Sequence, residues 1–130
     1  MKQNFNKSEN FYFLDFESNT KEVLYLGGHS DGENFHQVLL HPDLKGLSAA
    51  KEIPISSPIA YTKDLIRKVQ SKNSIIVAYS NCERRIIENI LKDDVHLNLG
   101  EIKYLNLLKA VKLWIKRNHK KEFENLPDFR

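Results

Sequence analysis

Three carboxylates in this chain, Asp15, Glu17 and Glu83, are placed where acids do chemistry. The first two lie in Phe11-Tyr12-Phe13-Leu14-Asp15-Phe16-Glu17, an apolar, aromatic run that reads as a strand. Side chains alternate between the faces of a strand, so Phe13, Asp15 and Glu17 share one face while Leu14 and Phe16 take the other. Two acids side by side on a half-buried face cost free energy unless a positive group opposes them, and a divalent cation is the usual partner. If the strand instead ends by residue 15, both acids are solvated and carry no chemistry.

Glu83 opens a helical stretch in which Ile86, Ile87, Ile90 and Leu91 recur at helical spacing. It precedes Ile86 by three residues and Ile87 by four, which puts it on the inward line, whereas Arg84, Arg85, Glu88, Asn89 and Lys92 lie outside. A helix that follows a central strand begins at the carboxyl end of the sheet, where ligands collect in open α/β folds. Ser80-Asn81-Cys82-Glu83 also fits an S-x-x-E capping box, which would satisfy the free amides of the helix start and require no other role.

The elements that must position these acids follow from periodicity. Residues 11–17, 22–28 and 34–41 read as strands joined by turns at Ser18-Asn19-Thr20 and from Gly27 to Glu33, an antiparallel meander with Gly27-Gly28 as hairpin residues. An irregular connection holds Pro42, Pro54 and Pro58, with a short helix near Leu44 to Lys51 and a firmer one from Thr62 to Lys72. Ser74 to Tyr79 is an apolar run suited to a central strand covered on both faces. The helix bearing Glu83 comes next, then a strand over Ile102 to Leu107. A last helix follows, with Leu107, Leu108, Val111, Trp114 and Ile115 as its apolar stripe, so Trp114 is expected to pack in the core. The expected order is β-β-β-α-β-α-β-α, a single α/β domain over residues 11–121 between a polar extension, 1–10, and a polar tail, 122–130.

Charge is unevenly distributed. The net +3 of this 130-residue chain hides a net of −2 over residues 1–102, which carry 12 Lys and Arg against 14 Asp and Glu. Residues 103–121 carry seven positive side chains and no acid: Lys103, Lys109, Lys112, Lys116, Arg117, Lys120 and Lys121. Such a block can track phosphates by releasing their counterions, and it can equally be a solvated helix face. No apolar run nears the ~20 residues that span a bilayer, and the start lacks the apolar segment of a signal peptide, so a cytoplasmic protein without membrane contact is expected. The single cysteine, Cys82, excludes an internal disulfide and a Cys-rich zinc site, and reads as a small core residue. His29, His36, His41, His96 and His119 show no H-x-x-x-H or H-x-x-E-H spacing, and no G-x-S-x-G or P-loop signature is present.

Phe13-Leu14-Asp15-Phe16-Glu17 resembles the first motif of the DEDD exonucleases of the ribonuclease H-like superfamily, and Val77-Ala78-Tyr79-Ser80-Asn81-Cys82-Glu83-Arg84 resembles their second. The nearest pattern is that of little-characterised bacterial nuclease-like domains, and the resemblance spans roughly residues 11–115. It implies a ribonuclease H-like fold and 3′–5′ exonuclease-like hydrolysis of phosphodiester bonds in DNA or RNA. Asp15, Glu17 and Glu83 would be catalytic ligands of Mg²⁺ or Mn²⁺ in a two-metal site. Lys109, Lys112, Lys116, Arg117 and Lys120 would then hold the backbone of single-stranded DNA or RNA.

The chain departs from that pattern in its fourth acid, since no Asp or Glu occurs from residue 102 to 121. Asn106 stands where related domains commonly carry an acid, and Glu122, Glu124 and Asp128 lie in the polar tail. A partner protein or second chain could supply the missing ligand. Otherwise the domain is a shortened, catalytically silent module that binds nucleic acid or a protein.

Overall fold

The computed structural model describes residues 10–94, 96 and 99–125. Its first strand, β1 (Phe11–Ser18), alternates as the sequence demands. Tyr12, Leu14 and Phe16 are buried, whereas Phe13, Asp15 and Glu17 are exposed on the opposite face. The chain turns at Asn19, whose Oδ1 accepts from Lys21 N–H at 2.9 Å and Val23 N–H at 3.0 Å, and enters β2 (Leu24–Ser30) antiparallel to β1. A second turn is built by Asp31, whose Oδ1 accepts from Glu33 and Asn34 N–H, with Gly32 at φ 98°. It delivers β3 (Phe35–Leu39), again antiparallel.

The glycine pair departs from the expectation. Gly27 and Gly28 lie inside β2 rather than in the hairpin, which moves up to residues 31–34. A Cβ on Gly27 would come within 2.7 Å of Tyr61 Cε1 and 3.3 Å of Leu40 Cδ1, so glycine is there to let a buried ring approach the sheet.

Beyond β3, Leu39 N–H donates to Pro54 O at 2.8 Å and its carbonyl accepts from Ser56 N–H at 2.9 Å. A strap around Ile55 thus occupies part of an otherwise open sheet edge. Between them lie a 3-10 turn (Pro42–Leu44) and α1 (Lys45–Lys51). The next helix, α2 (Pro58–Ser71), starts four residues before the expected Thr62, because Ser57 Oγ accepts from Ala60 N–H and Pro58 suits the first helical position. Tyr61, Thr62, Leu65, Ile66 and Val69 form its buried stripe.

Strand β4 (Ile75–Ala78) is buried throughout and pairs parallel with β1. Helix α3 (Cys82–Leu91) then leads to β5 (Lys103–Asn106), parallel to β4, and directly into α4 (Leu107–Asn118) and a short α5 (Lys120–Glu124). The tail expected from residue 122 therefore begins inside α5, and the N-terminal extension up to residue 9 lies outside the described residues. The molecule is an α/β fold with a five-stranded mixed sheet in the order β3-β2-β1-β4-β5. Only β2 runs against the others. Its core joins Tyr12, Leu14, Phe16 and Ile76 of the sheet to α2 and α3.

Helix α4 corrects the expected stripe. It buries no residue, and Trp114 is 58% exposed, with Leu107 and Val111 also on the surface. Leu108 and Ile115 of the expected stripe are half-buried, joined by Ala110 and Lys112. The physical reason is the missing linker: Asn106 ends β5 and also caps α4, so the strand sets the rotation of the helix whatever stripe the sequence offers.

His29 of β2 is buried, and its Nδ1 lies 2.8 Å from Tyr61 Oη. Burial first, and then the neighbouring His36, hold its imidazole below the ordinary 6.5. The fold therefore favours neutral His29, and its stabilising contribution is lost as pH falls from above 6.5 through the depressed folded value. Urea unfolding between pH 7.5 and 5 is expected to show wild type losing stability relative to His29→Gln as the solution is acidified. Gly27→Ala is expected to lower stability by about 1–3 kcal/mol through overpacking against Tyr61. Gly28→Ala, facing the movable, exposed Phe35 ring at 3.3 Å, should cost less in the same titration.

Candidate active site

The carboxyl ends of the parallel strands converge on one edge. The pairing of β1 with β4 ends at Phe13 and Val77, so Asp15 and Glu17 stand beyond it, beside the turn that starts α3. Asp15 lies opposite Gly28 of β2 and Glu17 opposite Leu26. Asp15 can accept a hydrogen bond from the protonated Glu17 carboxyl and repels its charged form, and both effects hold Glu17 above its ordinary 4.5. These two acids are the adjacent, same-face pair that the alternation predicts, although their face is exposed rather than half-buried.

Glu83 is buried, only 7% exposed, and its Oε2 has no hydrogen-bond partner. Burial raises its carboxyl above 4.5, its own backbone N–H opposes that rise, and the charges of Asp15 and then Glu17 raise it further. The three acids thus share one electrostatic neighbourhood. The S-x-x-E box is not made. Asn81, with helical φ −76° and ψ −2°, takes the cap position, so Glu83 falls at the second helical residue instead of the third that a box requires. Ser80 Oγ accepts from Cys82 N–H at 3.2 Å, and Asn81 makes no side-chain capping bond. Cys82 is exposed, not a core residue, because it lies off the line of Glu83, Ile87 and Leu91 that α3 buries.

Two backbone carbonyls of the turn before α3 are taken by groups from the next strand and helix. Tyr79 O accepts from Leu108 N–H at 2.9 Å, and Ser80 O accepts from the Tyr104 hydroxyl at 2.7 Å. Burial, and secondarily the Glu83 charge, push the Tyr104 phenol up to about 12, while the Arg84 backbone N–H facing its oxygen opposes the rise. The Arg84 guanidinium lies 6.0 Å from the centre of the Tyr104 ring. No sequence motif marks Tyr104. Its only signal is a polar-tipped aromatic in the strand next to the one that leads to Glu83.

Asn106, the residue standing in place of an acid, has a structural duty: its Oδ1 accepts from Lys109 N–H at 3.1 Å and caps α4. Lys109, Lys112 and Lys116 line a groove of about 340 Å³ with Asn106, Leu108 and Leu113, and Arg117 and Lys120 are exposed further along. Glu122 and Glu124 are exposed on α5, and Asp128 lies outside the described residues. Among the described residues, no three His, Cys, Asp or Glu side chains are gathered tightly enough to hold a metal ion as they stand. Among them, too, no helix is long and apolar enough to cross a membrane.

No protein-family model, curated protein or solved structure matches this chain. Three carboxylates share one electrostatic neighbourhood, with Glu17 and Glu83 holding protons more tightly than usual and Glu83 Oε2 buried and unpaired, so a positive group placed among them would offset their repulsion.

A raised folded pKa in an acid means stability that is full below 4.5 and is lost as pH rises through the folded value. Glu83→Gln, measured without metal, is therefore expected to melt above wild type at pH 7. The two melting temperatures should converge near pH 4.

Proposed function

We propose that the domain is a metal-dependent nuclease of ribonuclease H-like architecture, with Asp15, Glu17 and Glu83 as the ligands of Mg²⁺ or Mn²⁺. The observation that carries this reading is Glu83. A carboxylate 7% exposed, with an unpartnered oxygen and two further acids within electrostatic reach, is costly to the apo fold and is compensated by a bound cation. The sheet order, with β2 alone reversed, supports the architecture.

The chain's own residues divide the work. Asp15 and Glu17 are exposed, so a phosphodiester can reach them from solvent, while Glu83 is held at their flank by the start of α3. Lys109, Lys112 and Lys116 offer cations for neighbouring phosphates. When bound, the divalent ion supplies Lewis-acid stabilisation of the charge that develops at the scissile phosphate.

A catalytically silent module that binds single-stranded nucleic acid or a protein is favoured by one set of facts. Asn106 serves as a helix cap, no acid occupies residues 102–121, and the three carboxylates are not closed into a cage. Calorimetry with Mn²⁺ on wild type and Asp15→Asn, with cleavage of single-stranded DNA and RNA followed in the same samples, separates the two. The nuclease reading expects binding that the variant loses, together with metal-dependent cleavage; a wild type that neither binds Mn²⁺ nor cleaves is the silent module. For the nuclease, and for a silent module that binds nucleic acid, Lys109→Gln and Lys116→Gln should each weaken single-strand binding and reduce the salt slope of log K by about 0.7 for each phosphate no longer neutralised.

A further inference from the structure

We infer that Tyr104 is a positioning residue for this site: its hydroxyl, through the Ser80 carbonyl, holds the turn from which α3 starts and so sets the place of Glu83 relative to Asp15 and Glu17. The inference rests on the metal-site reading and adds to it the residue that fixes the third ligand.

A buried carboxylate repelled by two others gains free energy by swinging toward water; Glu83 Oε2 makes no hydrogen bond that would oppose this, and the carboxyl's polar hold is its own backbone N–H. Its place therefore depends on where the backbone at the start of α3 is held. The usual local device, a capping box, is absent, since Asn81 caps α3 without a side-chain bond and Ser80 Oγ is spent on Cys82 N–H.

The turn is instead gripped from outside α3. Leu108 N–H takes Tyr79 O and the Tyr104 hydroxyl takes Ser80 O, so successive carbonyls are held by β5 and α4. Of these two donors, only Tyr104 is a side chain. It is itself well anchored: it sits opposite Ile76 in the β4–β5 ladder, packs against the core, and has Arg84 near its ring face. Tyr104 touches no reacting atom in this arrangement. It acts through Ser80 and Glu83, as outer groups orient metal ligands elsewhere.

The test compares Tyr104→Phe, which keeps the ring and removes the hydroxyl, with Tyr61→Phe, which removes the buried hydroxyl that lies 2.8 Å from His29 Nδ1. Both are expected to melt below wild type. Mn²⁺ calorimetry, run well below each melting temperature, should show Tyr104→Phe weakened about 10- to 100-fold and Tyr61→Phe unchanged. In ¹³C NMR spectra titrated with diamagnetic Mg²⁺, the side-chain carboxyl carbons of Asp15, Glu17 and Glu83 should shift together in wild type. In Tyr104→Phe, Glu83 should drop out of that set while Asp15 and Glu17 remain.

If wild type binds Mn²⁺ through Asp15 and Tyr104→Phe binds it as tightly, with the Glu83 carboxyl carbon still shifted by Mg²⁺, the positioning role is overturned and the metal site stands. If wild type binds no Mn²⁺, the metal site falls and the positioning role falls with it.

Discussion

The alternation of β1 is the constraint on which the rest of the structure hangs. Tyr12, Leu14 and Phe16 must lie under α2 and α3, and a strand repeats every two residues, so Asp15 and Glu17 are forced together onto the other face. A slip of one residue would bury two carboxylates and expose three large apolar groups. Because β1 lies at the centre of the sheet, antiparallel to β2 and parallel to β4, that single choice also sets what faces the acids: Gly28 across from Asp15, and the end of β4 with the start of α3 beside them.

From that edge the architecture works by linkage between neighbours. The turn that leads to Glu83 is the β4–α3 connection, but its carbonyls are held by Tyr104 of β5 and Leu108 of α4. The helix that bears Lys109, Lys112 and Lys116 is therefore hydrogen-bonded to the turn that precedes the buried acid. Asn106 joins the two jobs in one residue, ending the strand and capping the helix, which leaves no linker in which α4 could rotate its apolar stripe inward. The exposure of Trp114 and the fixed place of the lysines have this common cause.

Several local signals read correctly because they rest on short-range physics. The inward placement of Glu83 followed from helical period alone, and the meander followed from strands broken by Asn and Asp turns. Others misled where two devices competed for the same residues. Ser80 and Glu83 have the spacing of a capping box, but Asn81 adopts helical angles and moves the helix start by one position. Gly27-Gly28 looks like turn chemistry, yet Gly27 answers to the ring of Tyr61, which a different element, α2, brings over the sheet. Nothing local to Gly27 could reveal that approach.

The sequence by itself determined the order of the strands and of the helices between them, the shared face of Asp15 and Glu17, and the asymmetry that puts seven cations and no acid in residues 103–121, because each is a matter of period, turn chemistry or count. Only the tertiary structure decided that Glu83 is buried beside that pair, that Tyr104 holds its turn, and that Trp114 faces solvent. Those outcomes depend on which strand lies next to which and on how a helix is rotated as it leaves its strand. Both are set by packing between residues far apart in the chain, and a one-dimensional pattern carries no term for it.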